Sequence, residues 1–304
     1  MEFFISAISD IGISRKVNQD ALFAAKMKTA TGNLAFAVMC DGMGGFSQGE
    51  IASTSVVAAF KEWYHKRLPL LSSSVIEDLT IIDQWTSVVR DVNDRIRKHG
   101  EKNKCRLGST VTVLLLSESR YYLMNIGDTR AYLFKNGVSQ LTVDHTLVEQ
   151  QIRQGILTRE QAESSSIRSV ITRCVGVTEE VYPDFFFGVI EEQAVYLLCT
   201  DGFRHKLKDH EMHMHMSSRD PKKCEELQQA LFELVETNKR RKEKDNISVL
   251  AVSNKMPDLS EEYDEEDDQE DDTTVQLPDE SDGGEKVDFN FVEEITLVHS
   301  NIIL

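Results

Sequence analysis

The spacing of apolar and polar positions changes period several times along the chain. Residues 2–9 alternate weakly and predict a strand, residues 21–25 a second short one, and the run 33–40 (NLAFAVMC) a buried one. The turn at 31–33 makes the second and third antiparallel neighbours. Two stretches at helical spacing follow, 47–67 and 75–102, separated by Pro69 and the serines 72–74. Ser47-Gln48-Gly49-Glu50 has the form of a capping box opening the first of them. Beyond these, 107–116 and 121–125 predict paired strands by their β-branched content, and Asn136-Gly137 predicts a tight hairpin between 130–134 and 138–141. Asp144 is placed to cap a helix over 145–154, and 158–163 predicts another short one. This helical insert between sheet segments suits a flap over a site. Strands return at 185–190, 194–200 and 247–252, with a helix from Asp220-Pro221 to about residue 239. Blocks of strands alternate with pairs of helices, which predicts an α+β fold with mainly antiparallel sheets.

Four acids sit at comparable places in this pattern. Asp41 follows the apolar run 33–40 and precedes Gly42-Met43-Gly44-Gly45, so a buried strand delivers a carboxylate beside backbone that can approach a ligand closely. Asp201-Gly202 repeats the design after the strand 194–200, Asp128 lies in Gly127-Asp128-Thr129-Arg130, and Asp245 directly precedes the strand 247–252. One Asp-Gly at a strand end is usually a turn. Four acids so placed predict a carboxylate cluster.

Charge alters the picture in one region only. The chain has 304 residues and a formal charge of -17. Residues 256–304 hold 18 of the 51 Asp and Glu and one Lys, leaving 33 acids against 33 bases before them. The run 258–272 has almost nothing to bury and repels itself, which predicts a disordered acidic segment. The tail ends in apolar residues (Phe289, Phe291, Val292, Ile295, Leu297, Ile302, Ile303, Leu304), a candidate peptide for docking on a partner protein or on the catalytic domain. Five cysteines form no CxxC pair and no leader pattern precedes them, which predicts reduced thiols in a cytoplasmic protein. No apolar run is long enough to span a membrane, and no basic patch with interleaved aromatics argues for nucleic acid.

Acids without soft ligands point to hard divalent ions, Mg²⁺ or Mn²⁺, held through oxygen and water. Two such ions bridged by a carboxylate lower the pKa of water and clamp a phosphoryl group, chemistry that also wants a guanidinium fork. Arg15 is the candidate fork. Cys199, two residues before Asp201 on the same strand face, reads as a buried thiol, and His145 as a flap residue rather than a ligand. His210 and His213, spaced by three, read as surface or loop residues.

Together the motifs resemble the metal-dependent serine/threonine protein phosphatases of the type 2C (PPM) family, in its bacterial branch. The resemblance rests on Arg15-Lys-Val-Asn-Gln-Asp-Ala21, Asp41-Gly-Met-Gly-Gly45 with Gly49-Glu50, Gly108-Ser-Thr110 and Gly127-Asp-Thr-Arg-Ala-Tyr132. It continues through Thr142-Val-Asp-His-Thr146, Ile171-Thr-Arg173 with Gly176, Leu198-Cys-Thr-Asp-Gly202 and Asp245-Asn246, all in the family's order. The resemblance implies two antiparallel sheets sandwiched between layers of paired helices, with a catalytic domain at 1–254 and a tail at 255–304. It implies hydrolysis of phosphoserine and phosphothreonine by water activated at a binuclear Mn²⁺ or Mg²⁺ centre. Asp41 would bridge the two ions, Gly42 would add its carbonyl, Asp201 and Asp245 would complete one shell, and Asp20 would act through waters. Arg15 would hold the substrate phosphate, and Asp128 a third, weaker ion. A serine/threonine kinase and its substrates are the expected partners.

Three positions depart from the family pattern: Met43 and Phe46 stand where relatives carry histidines, and Gln19 where many carry an acid. No protein general acid is therefore assigned. Two other functions remain open on these residues. A catalytically silent phosphoprotein binder would have no use for the acids together with Arg15, and an anti-sigma-pathway phosphatase would share the chemistry and differ in substrate.

Overall fold

The computed structural model describes residues 1–44, 48–72, 75–163, 165–217, 224–255 and 291–297. Every strand pairing in it is antiparallel. One sheet runs β1 (Glu2–Asp10), β11 (Ile247–Lys255), β10 (Val195–Cys199), β7 (Arg130–Phe134), β8 (Val138–Gln140). The other runs β12 (Phe291–Leu297), β2 (Asp20–Thr29), β3 (Gly32–Gly44), β5 (Val111–Leu116), β6 (Arg120–Ile126), β9 (Asp184–Val189), with β4 (Leu107–Ser109) on the far end of β3. Helices α1 (Gly49–Lys66), α2 (Leu68–Leu71) and α3 (Asp78–Asn103) accompany the second sheet, and α6 (Asp201–Arg204), α7 (Asp209–Ser217) and α8 (Cys224–Arg240) the first. The short helices α4 (Leu147–Arg153) and α5 (Arg159–Glu163) form the insert between β8 and β9.

The period-two alternation of the strands decides the layering. In β2, Phe23 and Ala25 face Phe60, Trp63, Tyr64 and Trp85 of α1 and α3, while Leu22 and Ala24 face the other sheet. There they meet Ile5, Tyr196, Leu198 and Leu250. The opposite face of the first sheet buries Leu197, Val249 and Ala251 against Phe203, Leu227, Leu231 and Leu234. The result is helix, sheet, sheet, helix. Trp85 is wholly buried among rings, in edge contact with Phe36, Phe60 and Trp63. Truncating it to Ala would cost about 3–5 kcal/mol.

Several local expectations are corrected. β3 does not stop before Asp41 but continues through Gly44, because Gly42, Met43 and Gly44 pair with β4. The strand expected over 107–116 breaks at Thr110 into β4 and β5. Gln48, not Ser47, precedes α1, with no side-chain cap. Thr146, not Asp144, caps α4, its hydroxyl accepting from the Glu149 amide, since Asp144 is taken by Arg130. Of the two readings of His210 and His213, surface or loop, the surface one holds: both lie on α7, His210 exposed and His213 half-buried. Ser47, Phe46, Asp220-Pro221 and the acidic run 258–272 lie outside the described residues.

Strand β12 belongs to the segment read as a tail. It adds to the edge of β2, with Ile295 and Leu297 packed against the inter-sheet core. Glu294 pairs with Lys61 and with His65 at 3.3 Å, both on α1, and Thr296 accepts from Lys61. Of the two docking surfaces considered from sequence, the catalytic domain is the one this strand occupies.

Candidate metal and phosphate site

Asp20 and Asp41 stand opposite each other in the β2–β3 register, where Thr200, just past β10, and Ser248 of the other sheet reach Asp20. Asp41 is fixed through its backbone: its amide donates to Thr110 Oγ1 at 2.8 Å, and its carbonyl accepts from the Thr110 amide at 2.9 Å. Thr110 in turn shares a hydrogen bond of 2.6 Å with Thr129, so one buried polar chain ties Asp41 to the loop that carries Asp128. Asp20 is buried and its Oδ2 accepts from Thr200 Oγ1 at 3.0 Å. Asp201 begins α6, with Thr200 in the capping position, and Asp245 lies just before β11, with Asn246 between.

The glycines make these approaches possible. A Cβ on Gly42 would sit 2.2 Å from the Gly49 carbonyl, and one on Gly202 would sit 2.0 Å from the Asn246 carbonyl. Bare backbone at both places lets α1 and α6 close on the strands that carry Asp41 and Asp245.

Asn246 organises the remaining side. Its Nδ2 donates to the carbonyls of Ile11 and Val17 at 3.0 and 3.2 Å, and its Oδ1 accepts from the Gln19 amide at 2.9 Å. The loop so held carries Arg15 over the acids, where Nη2 donates to Asp245 Oδ2 at 2.7 Å. That contact, reinforced by the charges of Asp41 and Asp201, raises the arginine's pKa.

Electrostatically the acids are under strain. Burial pushes Asp20 up to about 7, against the pull of hydrogen bonds from Ser248 and Thr200, and pushes Asp201 up to about 6 despite Arg204 nearby. Asp41 is driven well up by burial and by the charges of Asp20, Asp201, Asp128 and Asp245. The Oδ1 atom of Asp201 is buried without a hydrogen-bond partner. Crowded carboxylates and an orphaned carboxylate oxygen fit hard divalent cations. Among the described residues no three His, Cys, Asp or Glu side chains form a ready-made cage. These oxygens therefore suit ions that keep part of their water shell.

Asp128, reached through Gly127 at φ +107°, is also buried and pushed up to about 7 by burial. Its partner is Arg204: Nη2 donates to the Asp128 carbonyl at 3.1 Å and to Oδ2 at 3.2 Å. Sequence reasoning missed Arg204, Arg130 and Asp144 as a unit, although Arg130 and Asp144 fall within quoted motifs. His145 is a packing residue: its Nδ1 accepts from the Gly127 amide at 3.1 Å and its Nε2 meets Asp184 Oδ2 at 3.0 Å. Cys199 is a buried thiol, pushed up to about 12 by burial.

The protein phosphatase 2C family model matches residues 13–243. A serine/threonine phosphatase of Listeria monocytogenes is 29% identical over 191 residues, covering 62% of this chain and 73% of that protein. The crystal structure of the Mycobacterium tuberculosis serine/threonine phosphatase PstP/Ppp superposes with a TM-score of 0.70 at 28% identity, over 84% of this chain and all of that one. The PstP catalytic domain solved in complex with two manganese ions gives 0.66 at 26% identity, over 83% and 97%.

Proposed function

This chain belongs to the protein phosphatase 2C family, and we propose how its own residues carry out metal-dependent dephosphorylation of serine and threonine in proteins. Asp20, Asp41, Asp201, Asp245 and the carbonyl of Gly42 would hold two divalent cations, Mn²⁺ or Mg²⁺. Bound there, the cations would supply Lewis acidity, making water nucleophilic and neutralising charge on the phosphoryl oxygens.

The observation that carries this reading is the meeting of Asp20, Asp41, Asp201 and Asp245, from four separate places in the chain, beneath Arg15. Asp41 feels the charges of all the other acids and would be the one to serve both ions. Thr200 and Ser248 orient Asp20. Arg15 offers its fork to the phosphate oxygens of the substrate, exchanging its bond to Asp245 for two charge-assisted ones. Water attacks phosphorus in line and the serine or threonine oxygen leaves, with no covalent enzyme intermediate. No side chain is assigned as the acid that protonates it.

The catalytic unit is proposed as residues 1–254, with 255–304 a tail that returns through β12. A serine/threonine kinase and its substrates are the proposed phosphoproteins, and a protein partner is proposed for the tail. Among the described residues no helix is long and apolar enough to cross a membrane, and Cys40, Cys105, Cys174 and Cys199 are unpaired. The site of action is proposed as the cytoplasm. The test is hydrolysis of a phosphothreonine peptide with Mn²⁺ or Mg²⁺. Turnover that stops with EDTA and returns with added metal supports the reading, and turnover that survives thorough chelation overturns it.

A further inference from the structure

Helix α6 places Arg204 one turn after Asp201, and its guanidinium reaches across to the loop of Asp128. The same Nη2 lies 3.5 Å from Asp144 Oδ2. Asp144 is itself gripped by Arg130, through Nε at 2.9 and 3.1 Å and Nη2 at 2.8 Å. The side chains of Asp128, Asp144 and Arg204 are 5%, 8% and 12% exposed, so this is an interior network of two acids and two guanidiniums. Its charges balance without any added ion.

We propose that the guanidinium of Arg204 takes the place of a third divalent ion at Asp128, so that this chain binds two ions and uses Asp128 to position α6. Asp128 has committed two of its three oxygens, the carbonyl and Oδ2, to Arg204. A divalent cation brought to Asp128 would face a guanidinium that cannot lose its proton. Moving Arg204 aside would also break its contact with Asp144, and its Nε is buried without a partner that could compensate. Asp128 therefore acts through Arg204: it anchors the end of the four-residue helix whose first residue is Asp201.

The inference rests on the two-ion reading above, and one measurement separates the two. The full chain is titrated with Mn²⁺ alone, by calorimetry and by electron paramagnetic resonance of free Mn²⁺, as wild type, Asp128→Asn, Arg204→Ala and the Arg204→Ala/Asp128→Asn double variant. Wild type is expected to saturate at two ions, and Asp128→Asn at the same two with affinities within about threefold. Arg204→Ala is expected to gain a third, weaker ion that the double variant loses. Three ions on wild type with one lost in Asp128→Asn would overturn this proposal and leave the function standing. No ion on wild type would overturn both. Should Arg204→Ala fail to fold, wild type against Asp128→Asn decides the matter alone.

Discussion

Arg15 Nη2 and Asp245 Oδ2 lie 2.7 Å apart, so the residue assigned to the substrate phosphate is bonded to a residue assigned to a metal. Both side chains are partly open to water, at 48% and 31% exposure, so either can exchange this contact for another. Arg15→Ala removes the phosphate fork and frees Asp245. With charge-assisted hydrogen bonds contributing about 1.5–3 kcal/mol each, kcat/KM is expected to fall by roughly 10- to 100-fold. Mn²⁺ affinity should hold steady or rise, as calorimetric titration will read. A large loss of metal binding would make Arg15 a structural residue.

Asp41→Asn should be inactive on a phosphothreonine peptide, because it removes the charge proposed to be shared by both ions. The same change relieves repulsion from Asp20, Asp201, Asp128 and Asp245 when no metal is present. In EDTA its melting temperature is therefore expected to exceed that of wild type by about 2–4 °C per kcal/mol relieved. Excess Mn²⁺ should reverse the order. A metal-free variant that melts below wild type would show that the acids are not mutually strained.

Gly202→Ala tests how closely α6 must approach β11. Its new Cβ would meet the Asn246 carbonyl at 2.0 Å, so α6 and Asp201 must shift away from Asp245. A soluble Gly202→Ala protein is expected to lose at least 100-fold in activity and to bind Mn²⁺ more weakly. Wild-type metal affinity in that variant would mean that Asp201 and Asp245 do not act together.

Ending the chain at residue 290 removes β12 with Ile295 and Leu297. These half-buried side chains and the edge pairing are expected to contribute on the order of 2–3 kcal/mol. Thermal melts of the two lengths should differ by about 4–10 °C, while kcat/KM on a small phosphopeptide stays within about threefold. An unchanged melting temperature would mean that β12 does not stabilise the sheet.

The sequence made the clustered acids visible because each lies beside a strand whose apolar pattern is local. It made the helix–sheet–sheet–helix order visible through the motifs' resemblance to a family. What it hid depends on pairing across long separations. Nothing in the run after Asp41 reveals that β4 would extend β3 through Gly44. Asp144 resembles a helix cap until Arg130, fourteen residues earlier, is seen to claim it. Arg204 belongs to no motif and draws no notice in the sequence until the fold brings Asp128 against it. Likewise β12 is a seven-residue pattern far from β2 in the chain, and its partner edge is set by the folded sheet.

That same strand governs how the protein behaves towards copies of itself. Residues 21–25 of β2 read ALFAA, an apolar run without a charge, and with β12 in place both of its hydrogen-bonding sides are engaged, by β3 and by β12. Stripped of β12, this row of amides and carbonyls becomes an open template of the kind on which identical chains stack into aggregates. Preparations clipped between residues 256 and 290 should then cloud on storage at concentrations where the intact protein stays clear, a failure of handling rather than of catalysis.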